Sequence, residues 1–499
     1  MTSLGRPAQE PNVTFGIWHV GCMALATAML LAVYCEIIGL NVMPFRGESG
    51  WFIASAWSHE DRFAFIRPML IRAYNGHFAP LFFGLEYLQS GWFGTGVRWW
   101  FARQMLVLGL LTTSLYLVGR SGLAFTSLGR LSSATIALLA ALLFVVQPTV
   151  LELATWPFMA GPLLCIACGA VATAMLLTAA RTASANSVYW ALAWGYASMH
   201  LFGVGLAISL TALVAAIVLI WARELPQKTY NAPVAFAVLT LGHAWIMART
   251  GVEAAEHAVT WSDQWTRFGA LYMGSIQAGM RSLWSNGRFP WPNPDSYQTD
   301  AAYGFGVFVT MLTVSAALLW RGKRDCKPSL IAGGLLIGMS TLALGAYCAL
   351  IVFRLRHDPS LSAINPFLFG TRYIVFPAFF LFLLSPLILI AGARALGRRL
   401  VWPVAILTTA ASVATYVFFT TIATLWPIFA APFPMTWHQV VSDARIQLEA
   451  GGYIRDRKLS ELDPEFHAEL SQFRGLLDHE LGCQQCARFS PAQAPSSAP

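Results

Sequence analysis

The run Tyr74 to Phe83 reads YNGHFAPLFF and sets Asn75, Gly76, His77 and Pro80 among aromatic residues. A core could use one buried histidine but has less reason to gather all four in one short run, so the side of a membrane that the run occupies decides its role. Upstream, RGESGWFIASAWSHEDRF carries Glu48, His59, Glu60 and Asp61. A carboxylate among Trp51, Phe52 and Trp57 can serve as a general base, because apolar neighbours raise its pKa toward neutrality. The plainer reading of that run is an amphipathic helix lying on a membrane with its charges solvated.

Two later runs carry further chemistry. VVQPTVLELATWPFMAGP holds Glu152 within an otherwise apolar stretch. A carboxylate so close to hydrocarbon is costly and marks a candidate functional site. It can equally cap the helix that follows, favoured by the helix dipole. Glu36, inside the first apolar run, is a weaker candidate of the same kind. NPFLFGTRYIVFPAFF places Arg372 and Tyr373 at the start of a late apolar run, with Arg354 and Arg356 shortly before it. A guanidinium fork matches phosphate oxygens. Snorkelling of arginine to the membrane interface is the simpler explanation.

The elements that must position these residues are membrane helices. The 499-residue chain is 57% hydrophobic and only 11% charged, and its mean hydropathy is +0.58. Soluble domains carry about 25% charged residues, so the expected class is an all-α polytopic membrane protein. The net charge of +8 reflects basic cytoplasmic loops and is no sign of nucleic-acid binding. The first apolar run is too long for a signal-peptide core and is read as a retained span.

About eleven spans are expected from segment length. They are Gly16–Leu40, Ala102–Gly119, Ser132–Val146, Trp156–Thr178, Val188–His200 and Phe202–Trp221. Ala232–Ala248, Ala302–Leu319, Leu330–Phe353, Tyr373–Ile390 and Val401–Ile428 follow. The fifth is short and runs almost directly into the sixth. Basic residues crowd four connections: Arg120 and Arg130; Arg223 and Lys228; Arg321, Lys323, Arg324 and Lys327; and Arg394, Arg398 and Arg399. With eleven spans all four share one side, which the positive-inside rule makes cytoplasmic. The N-terminus is then cytoplasmic and the C-terminus extracytoplasmic. Arginine dominates the basic set, a compositional pointer to a GC-rich bacterial genome, and the expected location is a bacterial inner membrane.

A membrane domain over residues 1–430 is expected to put long loops outside, at about 41–101, 250–300 and 354–372. A short helical tail, 431–499, follows on the same side and ends in a disordered segment. In the tail, HQVVSDARIQLEAGG reads as a helix stopped at Gly451 and Gly452. Cys483 and Cys486 can form a disulfide in an oxidising compartment, or join His467 and His479 around a metal. Cys165 and Cys168 read as small apolar side chains in a packed helix.

The order of these motifs resembles the GT-C superfamily of integral membrane glycosyltransferases. The likeness is to its O-mannosyltransferase-like branch, and it runs over about Gly16 to Ile390. The matching positions are His77, Pro80 and Leu81; Pro148, Glu152 and Trp156; and Arg372, Tyr373 and Pro377. Some positions depart from the pattern. Gln147 stands in place of a histidine, and Thr371 in place of an acid. The acidic pair after the first span has only Glu48 nearby, with Glu60 and Asp61 later. No tetratricopeptide repeats follow. The resemblance implies a polyprenyl-phosphate sugar donor and a glycan, lipid or protein acceptor. Glu48 or Asp61 would then be the base. Asn75, His77, Arg354, Arg356, Arg372 and Tyr373 would hold the donor, and Glu152 would orient the acceptor or a loop. No DxD run is present, which argues against a metal-dependent nucleotide-sugar enzyme. No cofactor is expected, and a divalent metal is left open. A transporter or flippase of a lipid-linked glycan is the competing expectation, with a polar path through the bundle as its mark.

Replacing Glu48 and Asp61 separately with Ala tests the base. One variant is expected to lose sugar transfer from polyprenyl-phosphate donors while still binding the donor.

Overall fold

The computed structural model describes residues 49–57, 63–73, 77–126, 128–145, 147–154, 156–249, 260–284, 297–356, 364, 367–368, 371–391, 437–459, 469–482 and 485–489. Among them no β-strand forms; in the tail, extended pieces meet at two isolated bridges. Helices follow from the solvent. Hydrocarbon offers no partner to backbone N–H and C=O groups, so each segment must satisfy its own.

The first loop contributes α1 (Ser49–Trp57), α2 (Arg67–Ile71) and α3 (Pro80–Phe93). Then come α4 (Val97–Leu123), α5 (Arg130–Val145) and the short α6 (Pro148–Ala154). A 3-10 turn, Pro157–Met159, leads into α7 (Ala160–Thr182), followed by α8 (Ala185–Met199) and α9 (Gly205–Arg223). Next are α10 (Asn231–Arg249), α11 (Trp261–Trp284), α12 (Tyr297–Arg324) and α13 (Pro328–Arg354). Last in the bundle is α14 (Thr371–Phe382), and the tail holds α15 (Trp437–Gly451) and α16 (Arg474–Leu481).

Seven helices among the described residues are long and apolar enough to cross a membrane: those at α4, α7, α9, α10, α12, α13 and α14. The chain is an all-α polytopic membrane protein. Each expected span inside the described residues falls on a helix. The span at α14 runs on past Phe382, over Tyr373–Ala391. The α5 helix is shorter than the seven spans, and α8, at 15 residues, falls short of the roughly 20 that a bilayer core demands. The expected spans Gly16–Leu40 and Val401–Ile428 lie outside the described residues.

The region 250–300 departs from expectation. In place of a plain loop it contains α11, a 24-residue helix packed on α12, α13 and α14. Asp263, Gln264, Arg267, Gln277 and Arg281 lower its average hydropathy and hide it from a span search. Its inward positions recur at helical spacing: Phe268, Leu271, Tyr272, Ser275, Ala278 and Ser282 are all buried. Gly269 and Gly304 let α11 and α12 touch backbone to backbone, since a Cβ on Gly304 would strike the Gly269 carbonyl. Small residues at such crossings are the usual device for close helix approach in membranes.

Two of the basic connections meet at one end of the bundle. The Lys323 ammonium lies 4.2 Å from the Trp221 ring and 3.8 Å from the Glu224 carboxylate. Asp325 sits among Arg321, Arg324 and Lys327. A hydrogen bond from Arg324, with the three positive charges, holds its carboxyl below the ordinary value.

The tail docks on the first loop. Val440, Ala444, Ile454, Leu470, Phe473 and Leu477 form one core with Ile53 of α1 and Trp100 of α4. His479 lies 4.2 Å from Trp57, ring to ring, and Thr95 donates to the Glu480 carboxylate. Helix α15 stops before Gly452, which takes φ +72°, as the paired glycines lead one to expect. Cys486 is disulfide-bonded. The other described cysteines, at 165, 168, 326 and 348, are free, and the expected partner Cys483 lies outside the described residues. Cys165 and Cys168 are buried in α7.

A buried ion pair joins α3 to α4. Arg103 donates to both Glu86 oxygens, at 3.0 and 2.5 Å. The Glu86 side chain is fully buried and that of Arg103 is 9% exposed. Burial pushes the Glu86 carboxyl up from its usual value, and Arg103 pulls it back. Removing one partner strands the other charge, so Glu86→Leu or Arg103→Leu alone should each destabilise by about 3–5 kcal/mol. The double Leu variant should recover most of that loss. Thermal unfolding in detergent micelles reads both.

Candidate functional site

A cleft of about 600 Å³ opens where the first loop meets α9, α10, α13 and α14. Its polar lining is His77, Arg354, Arg356, Tyr347 and Tyr373. Its apolar lining comes from Val204 and Leu206, from Ala244 and Met247 of α10, from Leu350 and Ile351 of α13, and from Phe367. Since Gly203 precedes α9 and Arg354 ends α13, the cleft lies at the end of the bundle opposite Lys323 and its neighbours.

His77 is placed by packing on both sides. Pro80 starts α3 with its φ already set for a helix, and the Phe82 amide donates to the His200 carbonyl at 3.1 Å. The imidazole lies on the Phe202 ring, centroids 4.4 Å apart and 27° from parallel. Phe202 in turn stacks on Phe376 of α14 at 5.6 Å. A Cβ on Gly203 would collide with the His77 Nδ1, so only glycine lets the backbone pass so near the ring.

Tyr373 and the arginines form the other side. The Tyr347 hydroxyl donates to the Tyr373 carbonyl at 3.3 Å, and the Tyr373 ring lies 4.7 Å from Phe367. Arg354 and Arg356 sit at the C-terminus of α13, where a positive charge is favoured by the helix dipole. Arg356 folds back over Phe353 at 4.2 Å and donates to the Phe353 carbonyl at 3.0 Å. An anion entering the cleft must compete with that contact. Between the two arginines, the Leu355 carbonyl accepts a hydrogen bond from Arg267 at 3.1 Å. Arg267 comes from α11 and is 1% exposed.

Four of the expected donor-binding residues therefore share one cleft: His77, Arg354, Arg356 and Tyr373. Glu48, Asp61 and Asn75 lie outside the described residues. Glu152 lies on α6 and Arg372 on α14, and their side chains also lie outside the described part. The QPTVLELATW run is pinned at several points. Gln104 of α4 donates to the Ala154 and Trp156 carbonyls, both at 3.1 Å. Ser282 of α11 donates to Gln147 at 2.8 Å and lies 3.1 Å from the Thr149 hydroxyl. Ser49, the first described residue of α1, accepts from the Phe158 amide at 3.1 Å.

Arg267 and Phe202 went unremarked in the sequence. Arg267 sits in a segment whose hydropathy reads as loop, and Phe202 is one aromatic among many. Among the described residues no group of three or more His, Cys, Asp or Glu is placed to hold a metal ion. An apolar cleft with arginines at one side suits an amphiphile with an anionic head. Neither a family model, nor a curated protein, nor a solved structure matches this chain.

Gly203→Ala should displace His77 and weaken binding of a long-chain alkyl phosphate, a probe with an anionic head and an apolar tail, about as much as His77→Ala does. Arg267→Leu should weaken it roughly tenfold, the scale of one hydrogen bond from a charged donor. Titration calorimetry reads affinity, and unchanged helical circular dichroism shows that the fold is kept.

Proposed function

We propose that this protein is a membrane glycosyltransferase of GT-C type, moving a sugar from a polyprenyl-phosphate donor to an acceptor hydroxyl. One observation carries the reading: His77, Arg354, Arg356 and Tyr373 line a single apolar cleft at the end of the bundle away from the basic turns. The prenyl chain would lie along the α10 and α13 side chains. The phosphate would sit by the arginines, where a guanidinium fork suits it.

In the reaction, a first-loop carboxylate, Glu48 or Asp61, takes the proton of the acceptor hydroxyl. The acceptor oxygen then bonds to the anomeric carbon as the bond from that carbon to the phosphate oxygen breaks. Polyprenyl phosphate leaves with the electron pair, its charge met by Arg354, Arg356 and Arg372. A single displacement inverts the anomeric centre. Asn75 and His77 orient the donor head, and Glu152 orients the acceptor or a neighbouring loop. The acceptor is a glycan, lipid or protein, and no cofactor enters this scheme.

The proposed setting is a bacterial inner membrane with the cleft and the tail outside. The disulfide at Cys486 supports an oxidising side for the tail. The two basic turns gathered at the opposite end support a cytoplasmic face there.

The flippase reading draws on one observation, the hydrogen-bonded Gln147, Thr149 and Ser282 buried between α6 and α11. One reconstitution separates the two readings. Purified protein in vesicles should transfer radiolabelled sugar from polyprenyl-phosphate donors to an acceptor panel. The Arg354→Ala/Arg356→Ala variant should be slower by roughly 100-fold, the scale of losing a charge-stabilising donor. Movement of lipid-linked sugar between leaflets with no transfer would replace the enzyme with the transporter.

A further inference from the structure

The helix α3 has two apolar faces, and the protein uses only one. Phe82, Phe83, Glu86 and Ser90 are buried against the rest of the chain. Leu81, Leu85, Leu88 and Trp92 recur at steps of four, three and four residues and stay exposed, Trp92 at 74%. That spacing puts them in one stripe. Phe63 and Ile71, on the turn and helix before α3, are exposed as well. A patch of this kind on a folded protein marks an interaction surface.

We propose that this stripe is a lipid-docking surface, holding α3 in the headgroup layer of an anionic bilayer leaflet. Two further observations select lipid as the occupant. The first is charge. Among the described residues from 63 to 101, the exposed charged side chains are Arg67, Arg72 and Arg98, and the one acid, Glu86, is buried against Arg103. The charges exposed on this segment itself are thus positive, which suits anionic headgroups and not a basic partner; the tail's Glu480, at the turn after α3, accepts from Thr95. The second is continuity. Beyond Arg98, the outward residues Trp99, Ala102, Leu106 and Leu110 run on along α4, one of the seven membrane-length helices. The apolar stripe of α3 therefore leads, through the turn at Gly94–Gly96 and past the exposed Arg98, to the outward apolar residues of a span. Trp92 and Trp99 sit at the junction, where tryptophan prefers the boundary of hydrocarbon and water.

The surface has a consequence for the neighbouring loop. The Glu86–Arg103 pair ties α3 to α4, and the Phe82 amide ties its first turn to His200. Lipid contact along the outer face would set the depth of this whole element relative to the bilayer. This inference stands apart from the enzymatic reading and holds for a transporter equally.

The test places a fluorophore on Leu88→Cys in a Cys326→Ser background, with the unsubstituted background as blank. The protein is reconstituted in vesicles of phosphatidylglycerol and phosphatidylcholine. Brominated acyl chains should quench the label, and aqueous iodide should not. Iodide quenching without lipid quenching overturns the proposal. Protection from both quenchers also overturns it, because a second copy or another segment of the chain then covers the stripe. A second arm uses native mass spectrometry to compare retained phosphatidylglycerol with retained phosphatidylcholine. Arg67→Gln, Arg72→Gln and Arg98→Gln should each lower that preference by up to roughly five-fold. An unchanged preference in the triple variant overturns the choice of an anionic leaflet. All substituted side chains are exposed, so the fold is expected to survive every variant.

Discussion

The His77 imidazole lies flat on Phe202, and Phe202 lies flat on Phe376. This three-ring stack ties the first loop to the start of α9 and to α14. Stacked aromatic pairs are worth about 0.5–1.5 kcal/mol each beyond the area they bury, and they also fix orientation. The stack depends on Gly203, where any side chain would strike the imidazole. The cleft is then an outcome of geometry. Its aromatic side is built by the stack and by Tyr347 reaching the Tyr373 backbone, and its cationic side by the end of α13.

Buried charge is the second organising feature. In a low-dielectric interior an unpaired ion is very costly, so each buried ion constrains what surrounds it. Glu86 and Arg103 are locked in a two-pronged contact. Arg267 crosses from α11 to the Leu355 carbonyl, between the two cleft arginines. Neither interaction lies at the reacting atoms of the proposed reaction. Both hold pieces of backbone that carry residues facing the cleft or its rim.

The tail adds a third layer. Its small core takes in Ile53 and Trp100 from the first loop, and its last helix meets Trp57 and Thr95. The described tail residues, 437–459, 469–482 and 485–489, are therefore no free appendage, which the tail's amphipathic pattern alone did not reveal. Docking on α1 places the tail beside the element that immediately follows Glu48. Through Ser49 and the Phe158 amide, α1 also reaches the turn after α6.

The helical, membrane-embedded class was legible in the sequence because it follows from a local property. A long uncharged run must be a helix in hydrocarbon, whatever its neighbours. The positions of α4, α7, α9, α10, α12, α13 and α14 were legible for the same reason. The helix α11 was not. Its arginines and its acid lower an average taken along the chain, while burial is decided around the helix by what packs on each side. His77, Arg354, Arg356 and Tyr373 stood out by type and flanking residues, but nothing local could say that they meet. That Phe202 supports His77, that Arg267 braces the arginine turn and that Glu86 answers Arg103 are decisions of the tertiary structure. Contacts between residues tens or hundreds of positions apart leave no periodicity in a single chain, and only the packed bundle brings them within a few ångströms.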